Sequence, residues 1–135
     1  DTTFGTNGVA RFDLGGDDIL QGLTLDSMGR IVVVGKQGLV GGDLVVTRLT
    51  TAGALDSTFA TNGRYLPTTG TGEELTGVVV DASNAVIAVG LRDQDSLVLK
   101  LTAAGVPDST FGTAGEAVVD LSTGLFGDKL EALYA

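Results

Sequence analysis

Residues 23–35 read LTLDSMGRIVVVG, and residues 78–90 read VVVDASNAVIAVG. In each, an apolar stretch runs into a four-residue turn and out again through β-branched residues, the pattern of two strands joined by a hairpin. The turn is Asp26-Ser27-Met28-Gly29 in one copy and Asp81-Ala82-Ser83-Asn84 in the other. Gly and Asn best tolerate positive φ, so their exchange at the fourth position predicts a tight turn that needs that geometry. The exit runs, Ile31-Val32-Val33-Val34 and Val86-Ile87-Ala88-Val89, are continuously apolar. A sheet with one wet face alternates, so these strands are expected to be covered on both faces, by another sheet on each side.

A second signature repeats along the same chain. Residues 1–8, 56–63 and 108–115 read DTTFGTNG, DSTFATNG and DSTFGTAG, spaced 55 and 52 residues apart, with five of the eight positions identical in all three. The likeness reaches upstream, where residues 49–59 (LTTAGALDSTF) match residues 101–111 (LTAAGVPDSTF). Self-similarity at this period marks a repeat architecture and divides the chain into repeats 1–55, 56–107 and a partial 108–135. Strands are expected at 20–26, 30–35 and 44–49, the last matched by 97–101. A fourth is expected at 9–14, matched by 64–66 and 116–121. By register, residues 129–134 (KLEALY) are expected to form a further inner strand. The connections leave no room for crossover helices, so the fold class is all-β, with four-stranded antiparallel meanders. Meanders that cover one another along a chain are the arrangement of β-propeller blades. Residues 1–135 then form a single propeller segment of about two whole blades with partial terminal blades. Closure of a propeller takes about four to eight blades, so neighbours are expected.

The repeated motif has a structural explanation. Asp1, Asp56 and Asp108 can accept hydrogen bonds from backbone N–H groups two and three residues on. Phe4, Phe59 and Phe111 are three of only five phenylalanines and are expected as buried plugs between neighbouring blades. Gly8, Gly63 and Gly115 are expected to open the next strand. Read functionally, the Asp residues would be cation ligands, but each has a ready backbone partner and no second ligand at suitable spacing.

The segments 55–63, 23–35 and 43–53 together resemble the delta-60 repeat family of bacterial propeller repeats. The resemblance covers essentially the whole chain and departs at Asn84 and Ala60. It implies propeller blades and an extracellular or surface-attached bacterial protein. It implies no catalytic residues, because the motif is one of turns and packing.

Composition narrows the chemistry. With no Cys and no His, the chain has no disulfide framework, no thiolate metal site and no histidine general base. Its net charge of −9 opposes binding to nucleic-acid phosphates and to anionic lipid. No apolar stretch approaches the length of a membrane helix, so no membrane insertion is expected. Acidic residues cluster at Asp13, Asp17 and Asp18, at Glu73 and Glu74, and at Asp93 and Asp95. They are read as solvated blade edges that discourage edge-to-edge aggregation, with Ca²⁺ as the alternative cofactor; none matches an EF-hand or glycine-rich nonapeptide spacing. The eight Lys and Arg residues are dispersed, and the serines have no base to activate them.

The expected function is a non-enzymatic extracellular structural or interaction module. Its partners would be other copies of itself or the remainder of a longer chain. The alternative is a carbohydrate- or ligand-binding propeller using loops 37–42 and 91–95, against which stands the absence of Trp and the presence of only two Tyr. A hydrolase is the last reading, and no catalytic residue is assigned.

Overall fold

The computed structural model describes residues 1–120. Among these the chain forms eight strands and no helix: β1 (Asp18–Leu25), β2 (Ile31–Gln37), β3 (Asp43–Leu49), β4 (Arg64–Tyr65), β5 (Glu73–Val80), β6 (Val86–Arg92), β7 (Asp95–Leu101) and β8 (Glu116–Val119). They make two four-stranded sheets, ordered β1-β2-β3-β4 and β5-β6-β7-β8, with every pair antiparallel. The expected strand at residues 129–134 lies outside the described residues.

The hairpin turns form as their sequences demand. Gly29 and Asn84 both have positive φ, 73° and 63°. In each turn the first residue's carboxylate gathers two backbone N–H groups: Asp26 Oδ1 accepts from Met28 and Arg30, and Asp81 Oδ1 from Ser83 and Ala85. The first strand of each sheet also carries an irregularity. The register shifts between Leu20 and Gly22 in β1 and between Leu75 and Gly77 in β5, leaving Gln21 and Thr76 as extra residues. Opposite each bulge sits a glycine, Gly35 or Gly90. A Cβ there would run into the carbonyl of Ile19 or Glu74.

Residues two apart on a strand, and residues directly opposite on neighbouring strands, share a face. One face of the first sheet therefore carries Val32, Val34, Leu44 and Val46, since Val34 pairs with Val46. This face packs on the second sheet, where Leu75, Val78, Val86, Ala88, Leu97, Leu99 and Leu101 join it in one buried cluster that also takes in Phe59. The second sheet meets it mainly through β5, which lies against β1, β2 and β3.

The opposite face of the first sheet departs from expectation in two ways. Val33 is buried, as anticipated, but its cover is not a sheet. Phe4, Val9, Ala10 and Phe12 form one wall of an open groove of about 520 Å³, with Leu20, Leu23, Ile31, Val33 and Leu49 opposite. In addition, Leu20, Leu23 and Leu25 of β1 are exposed, whereas Leu75 and Val78 at the matching positions of β5 are buried. The expected strand at 9–14 does not form; only an isolated bridge between Thr6 and Val9 is present. Its counterparts β4 and β8 pair with β3 and β7, and no described strand plays that part for residues 10–14.

Candidate functional site

The three copies of the motif build the same small loop. Oδ1 of Asp1 accepts from the backbone N–H of Thr3 at 2.8 Å and its hydroxyl at 2.6 Å. Asp56 does the same with Thr58 at 3.0 and 2.6 Å, and Asp108 with Thr110 at 3.0 and 2.6 Å. The expected side-chain bond from the N–H three residues on is replaced: the N–H groups of Phe4, Phe59 and Phe111 donate to the backbone carbonyls of Asp1, Asp56 and Asp108. A further bond closes each loop, from Gly8 to Phe4, Gly63 to Phe59 and Gly115 to Phe111. Gly63 and Gly115 open β4 and β8, whereas Gly8 opens no strand.

The surroundings of the loops differ. Phe59 is 0% exposed between the two sheets, whereas Phe4 and Phe111, expected as buried plugs, are half-buried. The Arg48 guanidinium stacks over the Phe59 ring, 4.6 Å from its centre. The same group binds Asp56 through Nε at 2.8 Å and donates from Nη1 to the carbonyl of Ala103 at 2.7 Å. Nearby, Ala60 N–H donates to Ala104 at 2.7 Å. One arginine thus ties the first sheet, the motif loop and the second unit together. The second unit repeats the ion pair with Lys100 and Asp108, 3.0 Å apart. Asp1 has no Lys or Arg side chain paired with it among the described residues.

These contacts set the charge state of the carboxylates. Burial pushes the Asp56 carboxyl up, but hydrogen bonds from Thr58 and the Arg48 guanidinium outweigh it and hold it below the usual range. The Thr110 hydroxyl, and then Lys100, pull Asp108 down to about 2. Asp26 is likewise lowered: burial raises it, but bonds from Arg30 and Met28 prevail.

Other polar links span the two sheets. Lys36 lies 3.1 Å from Glu74, and the backbone N–H and hydroxyl of Ser27 both donate to Asn84 Oδ1. Of the acidic clusters, Glu73 corrects the expectation of a solvated edge. It is buried against Arg92, which also reaches Glu116 at 2.7 Å, and Glu73 Oε2 has no hydrogen-bond partner. Asp13 and Asp18 act locally, accepting backbone N–H bonds from Gly15 and Leu14. No group of three or more His, Cys, Asp or Glu residues is placed to hold a metal ion among the described residues.

The two loops singled out in the sequence meet at one end of the sheets. Glu73 N–H donates to Gly42, and Asp93 N–H to Gly72, each at 2.7 Å. Between them lies a cleft of about 260 Å³ lined by Lys36, Gly41, Gly42, Gly72, Glu73, Glu74, Leu91 and Asp93. No aromatic side chain lines it.

Sequence reasoning missed the part of Arg48, which looked like one dispersed base among eight. The signal was present: Arg48 and Lys100 hold the sixth positions of β3 and β7, DLVVTRL and DSLVLKL.

Fold and junction together define the class: an all-β protein of two stacked four-stranded antiparallel sheets, joined through a repeated Asp-[Ser/Thr]-Thr-Phe loop. Compared with known proteins, the chain matches no family model, no curated protein and no solved structure.

Proposed function

We propose that this chain is a non-enzymatic structural and interaction module, built of propeller-type blades like those of the delta-60 repeats and working outside a bacterial cell, joined to neighbouring blades. The observation that carries the reading is the junction at Phe59. There a full inter-sheet seam, with its apolar cluster and arginine tie, is assembled from a motif that occurs three times, so the chain holds the parts for more seams than one. The exposed Leu20, Leu23 and Leu25 support the same reading, because an apolar patch on a sheet face marks a surface that seeks a partner.

Light scattering tests it. The purified chain is expected to associate as its concentration rises, and Leu23→Glu with Leu25→Glu to remain monomeric with unchanged circular dichroism. A wild-type chain that stays a folded monomer at several hundred micromolar contradicts a module that needs neighbours.

A second reading, a ligand-binding module, is favoured by the convergence of loops 37–42 and 91–95 on one cleft. Its lining of glycines and charged side chains would suit a small polar ligand through hydrogen bonds, without the stacking that sugar rings use. Screening the chain on a glycan array separates the two.

A further inference from the structure

Four features around residues 1–12 are each incomplete in the same sense when set against their repeats. The Asp56 and Asp108 carboxylates each have a cation from the third strand of a sheet, Arg48 or Lys100, whereas Asp1 has none among the described residues. Phe59 is enclosed by two sheets and capped by Arg48; Phe4 rests on one sheet only, against Gly53, as Phe59 rests against Gly105. The loop is nevertheless seated in the same way, since Gly5 N–H donates to Ala52 at 2.8 Å just as Ala60 N–H donates to Ala104 at 2.7 Å. Residues 64–65 and 116–119 pair with a third strand, whereas 10–12 pair with no described strand. Finally, Leu23 is 69% exposed where Val78 is 7% exposed, because Val78 lies under the first sheet.

One occupant completes all four. We infer that the open face of the first sheet and residues 1–12 form a docking surface for a three-stranded antiparallel unit of this same repeat, to which residues 9–12 add the fourth strand. This rests on the reading of the chain as a repeat module and names what its open surface takes. The internal seam specifies the chemistry of the occupant. It presents small and branched apolar side chains in the arrangement of Val32, Val34, Leu44 and Val46. At the sixth position of its third strand it carries Arg or Lys, which binds the Asp1 carboxylate and caps the Phe4 ring. Strand addition supplies main-chain affinity, and the Arg or Lys supplies register. The groove between Phe4, Val9 and Phe12 on one side and Leu23, Ile31 and Val33 on the other is the unfilled part of that seam.

The test delivers such a unit by tethering. A duplicate of residues 16–55 is placed directly ahead of Asp1, which reproduces the natural join between Leu55 and Asp56. Amide exchange is then compared with that of the parent chain. Protection of residues 9–12 is expected to rise at least tenfold, with a higher melting temperature. Leu23→Glu in the original unit is expected to cancel most of the gain in the extended chain. Arg48→Met in the duplicate alone should reduce the protection of residues 1–5. If the duplicate becomes protected while 9–12 exchange as in the parent, the docking surface is overturned and the repeat reading stands. If the duplicate stays as exchangeable as an unfolded chain, the docking surface is likewise overturned. Failure of the repeat reading itself would appear separately, as a lack of protection in β2 and β6 of the parent.

Discussion

At the scale of single residues, three phenylalanines in the same motif have three different environments, and their energetics should follow. Phe59 is fully enclosed, so Phe59→Ala removes its transfer energy and leaves a cavity, an expected loss of about 3–5 kcal/mol in urea unfolding. Phe4→Ala, at a half-buried ring on an open groove, should cost only about 1 kcal/mol. Equal losses would mean that the junction is not where the two sheets are held. The carboxylate beside Phe59 predicts a pH dependence. The folded-state pKa of Asp56 is depressed, so its contribution is complete above the unfolded value of about 3.9 and is lost as pH falls through the folded one. Comparing wild type with Asp56→Asn cancels effects common to both. The wild-type advantage should be constant above about pH 5 and shrink steadily below about pH 4. An advantage that grows on acidification has the wrong sign and excludes the assigned ion pair with Arg48.

At the scale of elements, the hairpins were the most legible part, because local chemistry decides them. The turns at Gly29 and Asn84, the β-branched exits and the antiparallel meander all follow from residues within a few positions of one another. Strand ends moved by one or two residues, and the bulges at Gln21 and Thr76 were not legible, although their cause was written as Gly35 and Gly90 in equivalent places. Each glycine faces a carbonyl across the bulge with no room for a methyl group. Gly90→Ala should therefore force the β5 and β6 ladder apart and cost roughly 3 kcal/mol by overpacking. Ala88→Gly, two residues away on the same strand, provides a control in which a methyl is lost and nothing is forced. A Gly90→Ala protein as stable as wild type would remove the bulge from the account. The missing strand at 9–14 failed for a non-local reason: a fourth strand exists only where a third lies beside it, and sequence likeness to 64–66 carries no information about that neighbour. Arg48 was hidden in the same way, since its role depends on a phenylalanine eleven residues away and a carbonyl in the next unit.

At the scale of the described molecule, the two units are alike in sequence and unlike in circumstance. In the second sheet β5 is roofed by the first sheet, whereas β1 of the first sheet has only residues 4–12 over part of it. Continuous apolar runs pointed to strands covered by a sheet on each side; Val32 and Val34 lie under the second sheet, but Val33 is buried without a sheet over it, Ile87 is only partly buried, and composition could not say that β1 would present three leucines to solvent. That asymmetry between equivalent positions can be measured directly, because the sequence contains no cysteine. Leu23→Cys and Val78→Cys place one thiol each at matching positions of β1 and β5. Their rates of reaction with a soluble disulfide reagent should differ by about 100-fold or more, Leu23→Cys reacting almost as fast as a free thiol and Val78→Cys only through local opening. Equal rates at the two positions would contradict the account.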